Sequence, residues 1–248
     1  MTSYSEGGAR RLPRGWAHLA LQFAFWIGFY VVYQAARGIA DHDGVETAFE
    51  NGQRIIDFQR GLNSMFELTL QRVVEGSGFL IQATSITYWL SQFAVVGIAL
   101  TYVYLAHHER FFKFRNALIF GNLIGLLGYV LLPTAPPRMF PEAGFTDTLA
   151  AHSTVNHSST FVAFSSNPYA AMPSLHALDA LLVSVVMATV VRHRWAKALW
   201  LLWAPWVWFA VMATGNHFWL DVAAGVLVAM VAGGIVYRAE LLERLRRA

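Results

Sequence analysis

Two histidines are each followed by an aspartate within about one helical turn: His176 by Asp179, and His217 by Asp221. The four-residue spacing of the second pair puts both side chains on one face of a helix. Asp221 can then accept a hydrogen bond from one imidazole nitrogen of His217, fix its tautomer and raise the basicity of the other nitrogen, as the orienting member of a nucleophilic set does. The plain alternative is a His and an Asp that only satisfy each other at a helix end. Asp179 either orients His176 or is a solvated group at the mouth of a site. In Met172-Pro173-Ser174-Leu175-His176, Pro173 suits a first helical position and Ser174 a cap. Thr214-Gly215-Asn216-His217 marks a second helix start, with Asn216 beside the imidazole. Two helix N-termini and the guanidinium of Arg138 around one spot make a phosphate site, because N–H groups, dipole ends and a planar donor fork all favour a bound oxyanion. Taken alone, Arg138 equally suits an anchor facing lipid headgroups. The chain has no Cys, which excludes disulfides, thiolate metal sites and Cys nucleophiles.

The elements that must position these residues are apolar helices. Of 248 residues, 56% are apolar, 15% aromatic and only 13% charged, a balance that excludes intrinsic disorder and most soluble enzymes. Crossing the hydrocarbon core takes about 20 apolar residues. Six segments come near that length: Ala17–Ala36, Thr84–Ala106, Asn116–Leu132, Leu175–Val191, Ala198–Ala213 and Phe218–Tyr237. The expected fold is all-α: a single polytopic membrane domain over residues 1–248, a bundle of six transmembrane helices with the chemistry-bearing residues inside 116–237. Thirteen of the 18 Lys and Arg fall on the N-terminus, the C-terminus and the second–third and fourth–fifth connectors. The positive-inside rule therefore predicts cytoplasmic termini, and a site on the extracytoplasmic face of a cell membrane. The first span reads as a retained anchor, with a cleaved signal peptide as the alternative. Ile55 to Val74 has helical apolar spacing and is expected to form an amphipathic helix at the interface. Gly121, Gly125 and Gly128 make a small face for close helix packing, as do Gly225, Gly233 and Gly234. His152 and His157 read as loop residues, and His107 and His108 fall on the opposite side from the site. Basic residues come in short clusters between apolar runs, so nucleic acid is not an expected partner.

Three blocks, Pro136-Pro137-Arg138, Pro173-Ser174-Leu175-His176 and Asn216-His217-Phe218-Trp219-Leu220-Asp221, resemble the signature of the type-2 phosphatidic acid phosphatase superfamily of membrane lipid phosphoesterases. The resemblance runs from the third span to the sixth. It implies that His217 takes the phosphoryl group as a phosphohistidine, that Asp221 orients it, and that His176 protonates the leaving oxygen. Arg138 and Ser174 would hold the phosphate, with Asn216 and Asp179 as further candidates for substrate binding. No metal and no cofactor is implied. The chain departs from the family pattern at Leu131, where a Lys is usual, at Ala210 and Val211, where Ser-Arg is usual, and at Leu175 in place of Gly. Those departures resemble the branch of inositol phosphorylceramide synthases, which move a phosphorylated headgroup between lipids. One Arg and two helix ends are also better balanced against the single charge of a phosphodiester than against the near-double charge of a monoester. The expected partner is a phospholipid or other lipid phosphoester in a bilayer. The reaction is either headgroup phosphotransfer of the inositol-phosphate type or lipid phosphatase activity. A transporter using the His/Asp cluster as a proton relay is the alternative; such proteins place ionisable groups near the midplane and often show inverted repeats, and no repeat is visible here.

Overall fold

The computed structural model describes residues 12–39, 44–152 and 169–247. Among these the elements are α-helical: α1 Gly15–Ile39, α2 Val45–Gly61, α3 Glu67–Glu75, α4 Gly78–Leu90, α5 Val96–Ala106, α6 His108–Leu131, α7 Thr148–His152, α8 Leu175–Val190, α9 Arg194–Ala213, α10 Trp219–Val236 and α11 Arg238–Arg247. A π-helical turn, Ser91–Val95, joins α4 to α5 into one rod. His157 and most of the segment after α7 lie outside the described residues.

Among the described residues five rods are long and apolar enough to cross a membrane: α1, α4–α5, α6, α9 and α10. The expected fourth span is α8, which is apolar but has only 16 residues, roughly 24 Å at 1.5 Å per residue against a hydrocarbon core of about 30 Å. Where six spans were expected, five full-length helices and one shorter apolar helix are found among the described residues. α8 is short because it is the central helix. It buries residues on nearly every side, from Leu175 to Val190, and packs against α9, α10 and α6. Several other rods run past the expected ends. α6 begins at His108 rather than Asn116 and α9 at Arg194 rather than Ala198, because charged side chains extend a helix without interrupting it and carry their heads outward.

The glycine faces close the bundle. A Cβ on Gly125 would lie 2.2 Å from Leu175 Cδ2, and one on Gly128 would lie 2.5 Å from Pro173 Cδ. On α10, a Cβ on Gly225 would lie 2.1 Å from the carbonyl oxygen of Ser174. α6 and α10 thus press their bare backbones against the start of α8. Gly234, by contrast, faces open space. Outward, α1 leaves Trp16, Leu21, Phe23, Ile27 and Val32 exposed, an apolar surface suited to lipid.

The interfacial helix expected over Ile55 to Val74 is two helices. The chain turns between α2 and α3 at Asn63, whose φ is 49°, with Ser64 N–H donating to the Gln59 carbonyl. Both helices fold over one end of the bundle. Ile56 packs there with Phe140, Phe145 and Phe218, while Phe58, Leu62 and Phe66 stay exposed. Asn51 Nδ2 donates to the Pro133 carbonyl, and Ala135 N–H to the Ala48 carbonyl, so α2 is tied to the chain leaving α6.

The close approach at Gly225 gives a direct test. Gly225→Ala must push α10 away from the Ser174 carbonyl and is expected to cost about 1–3 kcal/mol, seen as a lower Tm in detergent. Gly234→Ala should leave Tm unchanged or raise it, since Ala is the better helix former. Equal Tm values for the two variants would refute the packing account.

Candidate active site

Three backbone-anchored bonds bring the three blocks together at the capped end of the bundle. Arg138 lies in a 3-10 turn, Pro137–Met139, just after α6, and its N–H donates to the Gly215 carbonyl at 2.8 Å. Ser174 N–H donates to the Asp221 carbonyl at 2.9 Å. His217 Nδ1 lies 2.9 Å from the Ala171 carbonyl oxygen. A carbonyl only accepts, so this nitrogen carries the proton, and the lone pair of neutral His217 is on Nε2.

The two imidazoles meet. The rings of His176 and His217 are 5.7 Å apart between centroids, inclined at 59°. His176 is the second residue of α8 and stacks on Tyr88 of α4, with centroids 4.5 Å apart and planes 22° from parallel. Arg138 is half-buried, and its Nη1 donates to Asn216 Oδ1 at 2.7 Å. Its Nε lies 3.7 Å from Asp147 Oδ2. Gly215, with φ of 71°, permits the approach, because a Cβ there would fall 2.7 Å from the Thr146 carbonyl.

A profile described as the PAP2 superfamily matches residues 53–235. The chain belongs to the PAP2 superfamily. A phosphoinositol dihydroceramide synthase of Bacteroides thetaiotaomicron is 29% identical over 136 residues, which are 50% of this chain and 44% of that protein. The chain therefore spans less than half the length of that relative. No solved structure matches it.

Within this PAP2 chain several site expectations change. His217 and Asp221 do not share a helix face, because α10 begins only at Trp219 and His217 precedes its cap, Phe218. Asp221 instead reaches back: its Oδ2 accepts from Phe218 N–H at 2.8 Å and lies 3.4 Å from His217 Nδ1. The direct orienting acceptor of the imidazole is the Ala171 carbonyl, with the Asp221 charge behind it. Asp179 is neither at a mouth nor solvated. It is buried, and its Oδ1 accepts from Asn122 of α6 at 2.8 Å. Asn216 is buried too, with its Nδ2 donating to Thr214 Oγ1 at 2.8 Å and its oxygen turned to Arg138. Its amide supports the arginine. Leu175, not Pro173, is the first residue of α8, and Ser174 is its cap, its Oγ accepting from Ala177 N–H at 3.3 Å. The start of α10 is not open to an anion as expected, because Glu67 Oε1 accepts from Trp219 N–H at 2.7 Å and Asp221 takes Phe218 N–H.

Tyr88, Glu67 and Asn122 were not anticipated. Asn122 carried a signal, an uncharged polar residue within an apolar span. Burial holds the Glu67 carboxyl above the ordinary carboxylate range, against the hydrogen bonds from Trp219 and Gln59, with the Asp221 charge pushing it the same way. His108 packs with His18, Tyr104 and Phe112 at the other end of α6, as the sequence implied.

The support that Asn216 gives Arg138 is testable by titrating inorganic phosphate. Asn216→Ala should weaken binding roughly ten-fold, the order of one hydrogen bond to a charged group. Asp179→Asn should change it less than about two-fold, since that carboxylate faces α6. The reverse ranking would put the anion at Asp179.

Proposed function

We propose that this chain is an integral membrane enzyme that transfers a phosphoryl group from a lipid phosphoester through a phosphohistidine on His217. The observation that carries this reading is the meeting of the His176 imidazole on α8 with that of His217 just before α10, the latter with its Nδ1–H fixed on a carbonyl. His217 Nε2 attacks phosphorus, the ester P–O bond breaks, and His176, entering protonated, gives its proton to the departing lipid oxygen. His176 then takes the proton of the incoming hydroxyl as that oxygen displaces His217. Arg138 and the start of α8 stabilise the spread charge. The membership in the PAP2 superfamily and the similarity to a phosphoinositol dihydroceramide synthase support this class of reaction.

Within the class, the charge balance favours a singly charged phosphodiester and transfer to a lipid alcohol. Leu131, Ala210 and Val211 supply no cation, Asp147 stands beside Arg138, and α10 offers its first N–H groups to carboxylates. A cavity of about 760 Å³ lies between α6, α8 and α10, lined by Leu181, Val185, Trp208, Val226 and Met230 and reaching Arg110, Lys113 and Glu240 at the end away from the imidazoles.

Purified chain given labelled phosphatidylinositol should transfer or release its phosphorylated headgroup, with label trapped on His217 after a rapid quench. His176→Ala should slow the reaction by about 10² to 10⁴, the usual worth of a placed general acid. His217→Ala should abolish both turnover and labelling. Fast release of phosphate from phosphatidic acid, with no action on phosphatidylinositol, would overturn the headgroup preference. Unchanged turnover in His217→Ala would overturn the mechanism.

We also propose that the site faces away from the cytoplasm. The chain lacks Cys, so single replacements report sidedness. A thiol reagent that does not cross membranes should label Glu142→Cys in intact cells, and Arg194→Cys only after permeabilisation. The opposite pattern would invert the topology.

A further inference from the structure

We propose that Glu67 is a positioning residue for His217, holding from α3 the backbone on which the nucleophile stands; the inference rests on the reading of His217 given above. Glu67 is fully buried. Its Oε1 accepts from Trp219 N–H at 2.7 Å and from Gln59 Nε2 at 2.7 Å, while its Oε2 has no hydrogen-bond partner among the described residues. The N–H just before, on Phe218, is held by Asp221. Two consecutive N–H groups, immediately after His217, are therefore fixed by carboxylates from two different helices. Asp221 belongs to the same helix start and moves with it. Glu67 supplies the bond that ties this start to a separate element.

The neighbouring contacts make α3 a bracket rather than a passive cover. Phe66 stacks on Trp219, with centroids 6.4 Å apart and planes 22° from parallel. Gln71, one turn beyond Glu67, donates to the Thr146 carbonyl at 2.7 Å and to Thr148 Oγ1 at 2.9 Å, and accepts from Thr146 N–H. Residues 146–148 flank Asp147, the carboxylate beside Arg138. One face of α3 thus sets the nucleophile's segment with Glu67 and the segment beside the arginine with Gln71. A carboxylate suits the first task, because negative charge at a helix N-terminus is favourable and the charged acceptor makes a strong bond to N–H. A misplaced imidazole costs rate steeply, since the attacking nitrogen must align with phosphorus.

The test compares purified full-length variants on whichever lipid phosphoester the wild type turns over. Glu67→Gln keeps an acceptor for Trp219 N–H and should retain kcat within about three-fold, while Glu67→Ala and the shorter Glu67→Asp should lower kcat about ten-fold or more with KM within about two-fold. In both impaired variants, amide hydrogen exchange at residues 218–222 should speed up relative to the α8 start. Unchanged kcat and exchange in Glu67→Ala, a Gln variant as slow as Ala, or a change confined to KM would overturn the proposal. If Ala fails to fold, Asp decides it by the same criteria. If the wild type transfers no phosphoryl group, the functional reading fails separately. Exchange alone then decides: faster exchange at 218–222 supports the positioning role, and unchanged exchange overturns it.

Discussion

The capped end of the bundle is built around one close approach, the bare backbone of α10 at Gly225 against the carbonyl of Ser174. Only at that separation can Ser174 N–H reach the Asp221 carbonyl, and only then does the segment before Ser174 bring the Ala171 carbonyl to His217. A methyl group at Gly225 would part the two helix starts and with them the two imidazoles. Within a bilayer there is little hydrophobic force between helices, so small residues that allow such contact become the main source of specific packing. The glycine faces of α6 and α10 therefore determine the geometry of the site as well as the fold.

Polar groups buried at that end are mostly accounted for in pairs. Asp179 is matched by Asn122, Glu67 by Gln59 and the Trp219 N–H, and Asp221 by the Phe218 N–H. Such matching is required where water cannot compensate, because an unmatched polar group away from solvent is costly. At this end Asp221 Oδ1, Glu67 Oε2, Gln59 Oε1 and Trp219 Nε1 are buried without a hydrogen-bond partner among the described residues, and such atoms also occur at the opposite end of the bundle, at His108.

Much of this was legible in the sequence. Apolar length gave the helices, the three blocks gave His176, His217, Asp221, Arg138 and Ser174, and the glycine spacing gave the packing faces. The rest was not legible, for identifiable physical reasons. The acceptor that orients His217 is a backbone carbonyl, which every residue carries, so nothing in the identity of Ala171 marks it. The i, i+4 argument for His217 and Asp221 assumed a helix that starts two residues later than His217. Asp179 was read with His176 because they are neighbours in sequence, but the partner it takes is Asn122 on α6, which is far away along the chain and leaves no local signal. Glu67 lies in a segment whose apolar spacing suggested a single surface helix, and the turn at Asn63 is what directs it inward.

The same geometry bears on which phosphoester the site suits. A cationic cluster would tolerate the two charges of a monoester, and the positions where the family usually carries such cations hold Leu131, Ala210 and Val211. The structure reduces the available positive field further. Arg138 is shared between Asn216 and Asp147, and the dipole end of α10 is taken up by Glu67 and Asp221. What remains is one guanidinium and the start of α8. A group bearing one charge fits that balance, and a second charge would meet no additional cation to offset it. This balance supports the proposed preference for a phosphodiester.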